Sequence, residues 1–475
     1  MPGFFSLPFR APSPRQEVEA AQPVEQEILS AVEQEHVQYG LDQLTITSKD
    51  SSEQLVDSTD VSSTTVPDES SAINFLRALP RELHTQVLQH LDLKSLLSFG
   101  LVSRECHDIV VGGSIWRNQI LVRRNRWPLR RDLPVDLDWF GLFKARFALD
   151  RRWQNGQFTT RYLTGHADTI YCIQVDSDRI VTGSRDKTII VWDAVTAQQL
   201  HKLERWAAAP VSSESNVLEE YDRSGHEASV ICLQFDTKHL ISGSSDSTLI
   251  VWDSNTYTSS HRLRGHTAEV IDLSFDTKYI ASCSKDRTII IRSRNQAENF
   301  PILHRISSDS GTVNSLHLRR GILAAGGISC SIHIWKASTG RLLRRFRGHD
   351  RSIASVKFSS DCSYVFSGSN DDNIRVFDVQ KGSCIRTLVG HSSLVRSLCI
   401  TYPRVISASY DRSIKVWDMY SLQLLLDLDD FHPKWILAVD ADARMIISSC
   451  LDGCPLVMDF ASDLDRDLLS CFKDC

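Results

Sequence analysis

One spacing governs this chain. Landmarks at positions 166, 226, 266, 309, 349, 391 and 432, five of them the histidine of a Gly-His pair, recur through the C-terminal two-thirds. Each is followed 20 residues later, or 22 once, by Asp186, Asp246, Asp286, Ser329, Asp371, Asp411 and Asp452. Six residues further on stand Trp192, Trp252, Arg292, Trp335, Phe377, Trp417 and Met458. A double spacing held through seven units marks an internal repeat of about 40 residues. Each unit contains three apolar or alternating runs, as in TIYCIQV, RIVTGS and TIIVWD, and then a fourth such as QLHKL. These read as β-strands. Four-stranded units of this length stack as the blades of a propeller. The segment FTTRYLTGH matches TSSHRLRGH and SCIRTLVGH, so it is an outer strand that arrives before any inner one. It is therefore expected to complete the last blade, which removes the open edge of the ring. The expectation is mainly β, with seven blades.

The chain of 475 residues is too long for one ordinary core, and its charge is unevenly spread. Residues 1–72 carry 3 basic and 13 acidic side chains, residues 73–161 carry 15 and 8, and the rest 35 and 38. The first segment, rich in Glu, Gln, Ser, Thr and Pro, reads as a disordered tail. Within it Val24, Ile28 and Val32 form a weak helical stripe, a fraying helix or else a means of self-association. Residues 75–125 change to short amphipathic helices: Leu83, Val87, Leu88 and Leu91 share one face, and Leu93, Leu96, Leu97 and Val102 mark the next. The 12 cysteines are scattered, several in strand-like runs, which fits free thiols in a reducing compartment. No apolar signal core and no long apolar run is present, so a soluble chain, cytoplasmic or nuclear, is expected, with no membrane partner. No domain is basic enough to expect nucleic acid, and RRNRWPLRR (123–131) reads as a helix end and linker or else as a nuclear signal.

His166, Ser184 and Asp186 are the side-chain types of a hydrolytic triad. An active site, however, is built once, beside an oxyanion hole. A set repeated around a ring reads instead as a hydrogen-bond tie that fixes each turn, here through His166, Ser184, Asp186 and Trp192. Walker A, HExxH, G-x-S-x-G and paired Cys-x-x-Cys patterns are absent from the sequence. Cys450 and Cys454 read as a strand thiol and a loop thiol. The expectation is a chain with no catalytic residues, no metal and no cofactor.

The repeats resemble WD repeats, and LPRELHTQVLQHLDLKSLLSFGLVSRECHDIVVGGSIW (79–116) resembles an F-box. The stretch FKARFALDRRWQNGQ is similar to the helical connector of F-box/WD-repeat proteins. The organisation read on that basis is a tail (1–72), an F-box (73–122), a helical linker (123–156), a seven-bladed WD-repeat β-propeller (157–461) and a C-terminal tail (462–475). The resemblance implies a non-catalytic substrate receptor of an SCF-type cullin-RING ubiquitin ligase. It also implies that Leu79, Pro80, Leu83, Leu88, Leu91, Leu96 and Leu97 enter a Skp-type adaptor, while some of them must instead form the helices' own core. A protein substrate, phosphorylated or not, would then bind the propeller face carrying the d–a loops and b–c turns. Two slots per blade point there, and they hold Tyr171, Arg185, Lys285, Arg396 and Tyr410. Basic side chains with adjacent aromatics suit phosphate, yet Asp168, Glu227 and Glu269 lie in the same loops. Blades 3 and 4 depart from the pattern, which leaves their loop geometry open. The other reading is a WD-repeat scaffold outside any ligase. An insertion at 205–224 falls on the same face.

Overall fold

The computed structural model describes residues 81–112, 114–123, 127–205, 225–295, 299–308 and 311–472. The expected tail, Leu79, Pro80, Asp309 and nearly all of the 205–224 insertion lie outside those residues. Contacts divide the chain into two units, residues up to Arg123 with Asp138–Phe143, and residues 124–137 with Lys144 onward.

The first unit is helical: α1 (Arg81–Leu88), α2 (Leu93–Gly100), α3 (Arg104–Gly112) and α4 (Ile115–Val122). Leu88, Leu93, Leu96, Leu97, Val110, Ile115 and Ile120 face inward and are buried. Trp116 is wholly buried and donates its indole N–H to the Val110 carbonyl at 2.8 Å. Its ring packs against Phe140 and Phe143, with centroids 4.9 and 4.8 Å away, at the start of α5 (Trp139–Asn155). A buried indole needs such an acceptor, and Trp116 has one.

In the second unit, strands lie in seven antiparallel sheets of four. Within each blade the strands run a to d outward from the central channel; in blade 1 they are Ile170–Val175, Arg179–Ser184, Ile189–Asp193 and Gln199–Leu203. Strands b and c are buried on both faces and carry the β-branched runs that suit such a position. Apolar side chains such as Val181, Ile189, Val191 and Val230 fill the space between successive sheets. Ring closure follows the sequence expectation: Thr159–Tyr162 pairs antiparallel with Leu456–Asp459 as the outer strand of blade 7.

Side chains of the a strands join neighbouring blades around the channel. Gln174 donates to the Phe235 carbonyl (3.2 Å) and Gln234 to that of Phe275 (3.2 Å). The backbone N–H of Leu316 donates to Asp272 (2.7 Å), Phe358 to His317 (2.9 Å), Leu398 to Ser355 (3.2 Å) and Val439 to Ser397 (3.2 Å). Val175 N–H donates to Asp440 at 2.9 Å and completes the circuit. These bonds satisfy strand backbone groups that no ladder reaches. On the second unit's other side, Trp153 of α5 stacks on Phe460 (3.8 Å, 8°) and donates to the Ala443 carbonyl at 2.8 Å. Residues beyond the last blade also pack: Phe472 is fully buried and bridges to Leu129. Among the described residues no helix is long and apolar enough to cross a membrane.

Candidate functional site

The histidine–aspartate pair recurs in space in five blades. Nδ1 of His166, His226, His266, His349 and His391 meets the carboxylate of Asp186, Asp246, Asp286, Asp371 and Asp411 at 2.7–3.0 Å. The other ring nitrogen meets a hydroxyl of strand b: Thr182, Ser242, Ser282, Ser367 or Ser407, at 2.7–2.9 Å. In blades 1, 2 and 6 the tryptophan indole donates to that same hydroxyl at 2.9–3.0 Å. This corrects one expectation. The bridging hydroxyl is Thr182 rather than Ser184. Ser184 turns to the d–a loop, donating to the Thr169 carbonyl at 3.0 Å and accepting from Asp186 N–H at 3.1 Å.

The chemistry of the set is static. Burial opposes ionisation of Asp186, Asp246 and Asp411, but bonds from the histidine, the adjacent backbone N–H and the following hydroxyl outweigh it and hold these carboxyls well below the usual range. Asp286 lies at about 2 for the same reasons. Burial pushes His266 and His349 down despite their carboxylates. The residue after the turn aspartate, or after Ser329 in blade 4, has a positive φ in each blade, from Cys330 at 54° to Gly453 at 77°. An L-residue there needs outside support, and Asp186 gives it by accepting Thr188 N–H at 2.9 Å. The tie is a turn lock. Blade 3 keeps it although Arg292 replaces tryptophan; that guanidinium donates to the Phe300 carbonyl at 3.1 Å.

The channel mouth carries the side chains that the repeat leaves free. Every a strand has a bulge at its second residue, so Tyr171, Ile231, Ile271, Asn314, Ala354, Arg396 and Leu437 sit outside the ladder pairing. All seven line the channel, a cavity of about 370 Å³. Tyr171 and Arg396 are half-buried there, in blades 1 and 6, with Leu437 of blade 7 between them in the ring. Tyr410 stacks on Trp435 at 4.8 Å with ring planes 7° apart, and Trp435 is 52% exposed. Sequence reasoning missed Trp435, which precedes the strand opener; an aromatic at a place that the other blades fill with Thr169, Ser229, Glu269, Thr312, Ser352 and Leu394 was the available signal.

The remaining basic slots are matched by acids. Arg185 lies 3.7 Å from Asp168, and Lys285 pairs with Glu269 in its own blade. Both pairs are exposed, so they blunt positive potential more than they stabilise. Arg396 has no carboxylate partner among the described residues. Lys285 belongs to blade 3 and does not join the group in blades 6, 7 and 1. Deeper in the channel, burial raises the carboxyls of Asp272 and Asp440, both of which accept the blade-joining bonds given above. They are structural acceptors.

In the helical unit, Leu83 is 41% exposed, Val87 60%, and Leu101 and Val102 also face outward. Leu91 is half-buried. Leu88, Leu96 and Leu97, expected to dock, are instead buried in the unit's own core, at 5%, 0% and 7% exposure.

Comparison with known proteins agrees with both units. The WD domain, G-beta repeat family matches residues 157–193, 218–253, 257–293, 340–378 and 382–418, and the F-box-like family matches residues 76–121. This chain is an F-box/WD-repeat protein. The five WD matches fall on the blades that keep the histidine–aspartate tie, and blades 4 and 7 are the ones left over. The Probable E3 ubiquitin ligase complex SCF subunit sconB of Arthroderma benhamiae is 25% identical over 28% of this chain and 25% of its own length. Protein ROOT INITIATION DEFECTIVE 3 of Arabidopsis thaliana is 36% identical over 25% of this chain and 30% of its own length. Mitochondrial division protein 1 of Vanderwaltozyma polyspora is 28% identical over 54% and 32%. The chain thus spans about a third or less of these relatives. The WD40 β-propeller domain of Doa1 superposes with a TM-score of 0.53 at 19% identity, covering 64% of this chain and 96% of that one, a likeness of fold.

Proposed function

We propose that this F-box/WD-repeat protein is a non-catalytic substrate receptor of an SCF-type ubiquitin ligase. The observation that carries the reading is the joining, in one chain, of an F-box-like helical unit with a closed propeller. The likeness to an SCF subunit over part of the chain supports it. A Skp-type adaptor contacts the apolar surface around Leu83, Val87 and the half-buried Leu91. Leu88, Leu96 and Leu97 hold that surface in shape from within.

The substrate is a polypeptide that meets the propeller in the sector of blades 6, 7 and 1. Trp435 and Tyr410 offer a rigid aromatic platform, and Arg396 and Tyr171 offer a cation and a hydroxyl at the channel mouth. Aromatic and arginine side chains at a pocket carry most of the binding energy in such contacts. A phosphorylated residue beside Arg396 fits this sector better than one beside Arg185 or Lys285, whose charges are already matched.

The test separates the two surfaces. Leu83→Asp with Val87→Asp, both on exposed positions, abolishes adaptor pull-down while the propeller's circular dichroism stays unchanged. Trp435→Ala with Arg396→Glu keeps the adaptor and loses clients that accumulate when the proteasome is inhibited. Adaptor capture surviving the first pair refutes the receptor assignment. A client list unchanged by the second pair refutes the sector.

A further inference from the structure

The channel holds two cations that the fold does not use. Arg396 is the second residue of the a strand of blade 6, and Lys357 is the fifth residue of the a strand of blade 5. Both line the cavity of about 370 Å³. Among the described residues neither makes an ion pair or a hydrogen bond. On the face above, by contrast, Arg185 is matched by Asp168 and Lys285 by Glu269.

The carboxyls of the channel are engaged by its own wall. Asp272 accepts Leu316 N–H at 2.7 Å and Leu273 N–H at 2.9 Å. Asp440 accepts Val175 N–H at 2.9 Å and the Cys399 thiol at 3.1 Å. Burial raises both carboxyls, and the Lys357 ammonium pulls against that rise in each, although they stand in blades 3 and 7. The same ammonium adds to the burial that lowers His317 in blade 4. Lys357 therefore places its charge in the lumen rather than against one wall. Burial likewise raises the Cys172 thiol of blade 1, and the Arg396 guanidinium is close enough to oppose it. With Arg319 the lining holds three cations against two carboxyls, a balance that favours an anion.

What can enter is limited by the ring. Its seven blades close through Thr159–Tyr162, so a polypeptide passes inward lengthwise only by an end. Three residues of strand, roughly 10 Å, separate the level of Arg396 from that of Lys357. A side chain from a segment lying across the mouth meets Arg396. A chain entering by its end passes Arg396 and reaches Lys357. An α-amino end would bring a third positive charge beside these two, whereas a carboxylate end brings the partner they lack. Ile231, Ile271, Ala354 and Leu437 supply apolar wall for the side chains of the last residues.

We propose that the client enters the channel by its C-terminus, with its terminal carboxylate bonded to the Lys357 ammonium and an acidic or phosphorylated side chain near the end bonded to Arg396. The inference rests on the receptor reading and names the class of client: a polypeptide with an accessible, unblocked C-terminus.

The experiment uses the full chain, immobilised, and pooled short peptides of random sequence made as C-terminal acids and as C-terminal amides. Sequences captured from the acid pool are resynthesised in both forms, and their affinities are measured by fluorescence anisotropy. The acid should bind at least about tenfold more tightly than the amide, the worth of one charge-assisted bond. Lys357→Met should abolish that preference and Lys357→Arg should keep it, while Arg396→Met weakens acid and amide alike. Circular dichroism and adaptor pull-down confirm that each variant is folded. Equal binding of acid and amide overturns the inference. So does a preference that survives Lys357→Met, or an acid pool from which nothing is captured. Failure here is distinct from failure of the receptor sector. Clients lost with Trp435→Ala and Arg396→Glu, yet kept with Lys357→Met and after extension of their C-termini, overturn the inference and leave the sector standing. Clients unchanged by all of these substitutions refute the sector itself.

Discussion

Removing the turn aspartate should have very different consequences in blades 6 and 7. Asp411 accepts four hydrogen bonds: from His391 Nδ1 (2.8 Å), Ser392 N–H (2.9 Å), Ser413 N–H (2.9 Å) and the Ser413 hydroxyl (2.7 Å). Its side chain is 9% exposed and that of His391 is 1% exposed. Asp411→Ala strands the imidazole N–H and the Ser413 donors away from water, while the exposed Ser392 N–H can turn to solvent. A buried group left unsatisfied costs about 1–3 kcal/mol, so three such donors give at least about 3 kcal/mol. The loss also removes support from Arg412, which sits at φ 73°. Asp452→Ala removes a single acceptor, that of Cys454 N–H, beneath a glycine that tolerates its own φ of 77°. That change should cost about 1 kcal/mol or less.

Hydrogen exchange of the full chain reads the difference, because local opening is measured without assuming that the two units unfold together. Peptides covering residues 391–414 in Asp411→Ala should exchange faster by a factor at least about 30 greater than peptides covering 432–455 in Asp452→Ala, the equivalent of about 2 kcal/mol. Equal acceleration in the two variants refutes the reasoning, since it makes the carboxylate's partners irrelevant to the turn. So does an Asp411→Ala chain with unchanged exchange.

Other outcomes follow from the same geometry. His432 has its pKa lowered to about 4 by burial, from 6.5 in the unfolded chain, so the unfolded state takes up the proton first as pH falls. Its stabilising share is complete above about pH 6.5 and is lost toward pH 4, up to about 3 kcal/mol; His432→Gln should flatten the urea midpoint across that window. Gly183→Ala places a Cβ 2.6 Å from Cys172 Sγ and 2.7 Å from Val230 between blades 1 and 2. It should lower stability by about 1–3 kcal/mol in urea denaturation. Trp153→Ala removes the Phe460 stack and the bond to Ala443, and the Arg404 guanidinium loses the ring face it lies 4.4 Å from. A loss of about 3–5 kcal/mol, localised to α5, should appear as new protease cleavage within residues 144–155.

The propeller was legible because its constraints are periodic. A strand buried on both faces must be apolar along its length, and a ring must close, so blade count and the borrowed outer strand both follow from spacing. Which hydroxyl bridges the tie was not legible. Thr182 and Ser184 lie two apart on one strand and therefore on the same face, and spacing cannot say which of them the imidazole reaches. Which of the leucines lie outward was not legible for a related reason. An amphipathic stripe says that Leu83, Leu88, Leu96 and Leu97 want cover, but only the helix packing shows that the last three already have it.

The charge pattern on the propeller face shows a different limit. Arg185 and Lys285 occupy the slots that repeat position assigns to a ligand, yet Asp168 and Glu269 reach them from the d–a loops of their own blades. Charge type per slot is thus a poor guide, because each slot sits beside a loop whose residues the repeat does not fix. Blade 7 makes the same point from the other side. His432 and Asp452 keep the spacing of 20 residues, yet Nδ1 of His432 has no hydrogen-bond partner. Repeat spacing reports where a side chain starts from the backbone. Whether it is used as a tie, left for a ligand or matched by a neighbour is decided by the two or three side chains beside it, and those are where this chain departs from its own pattern.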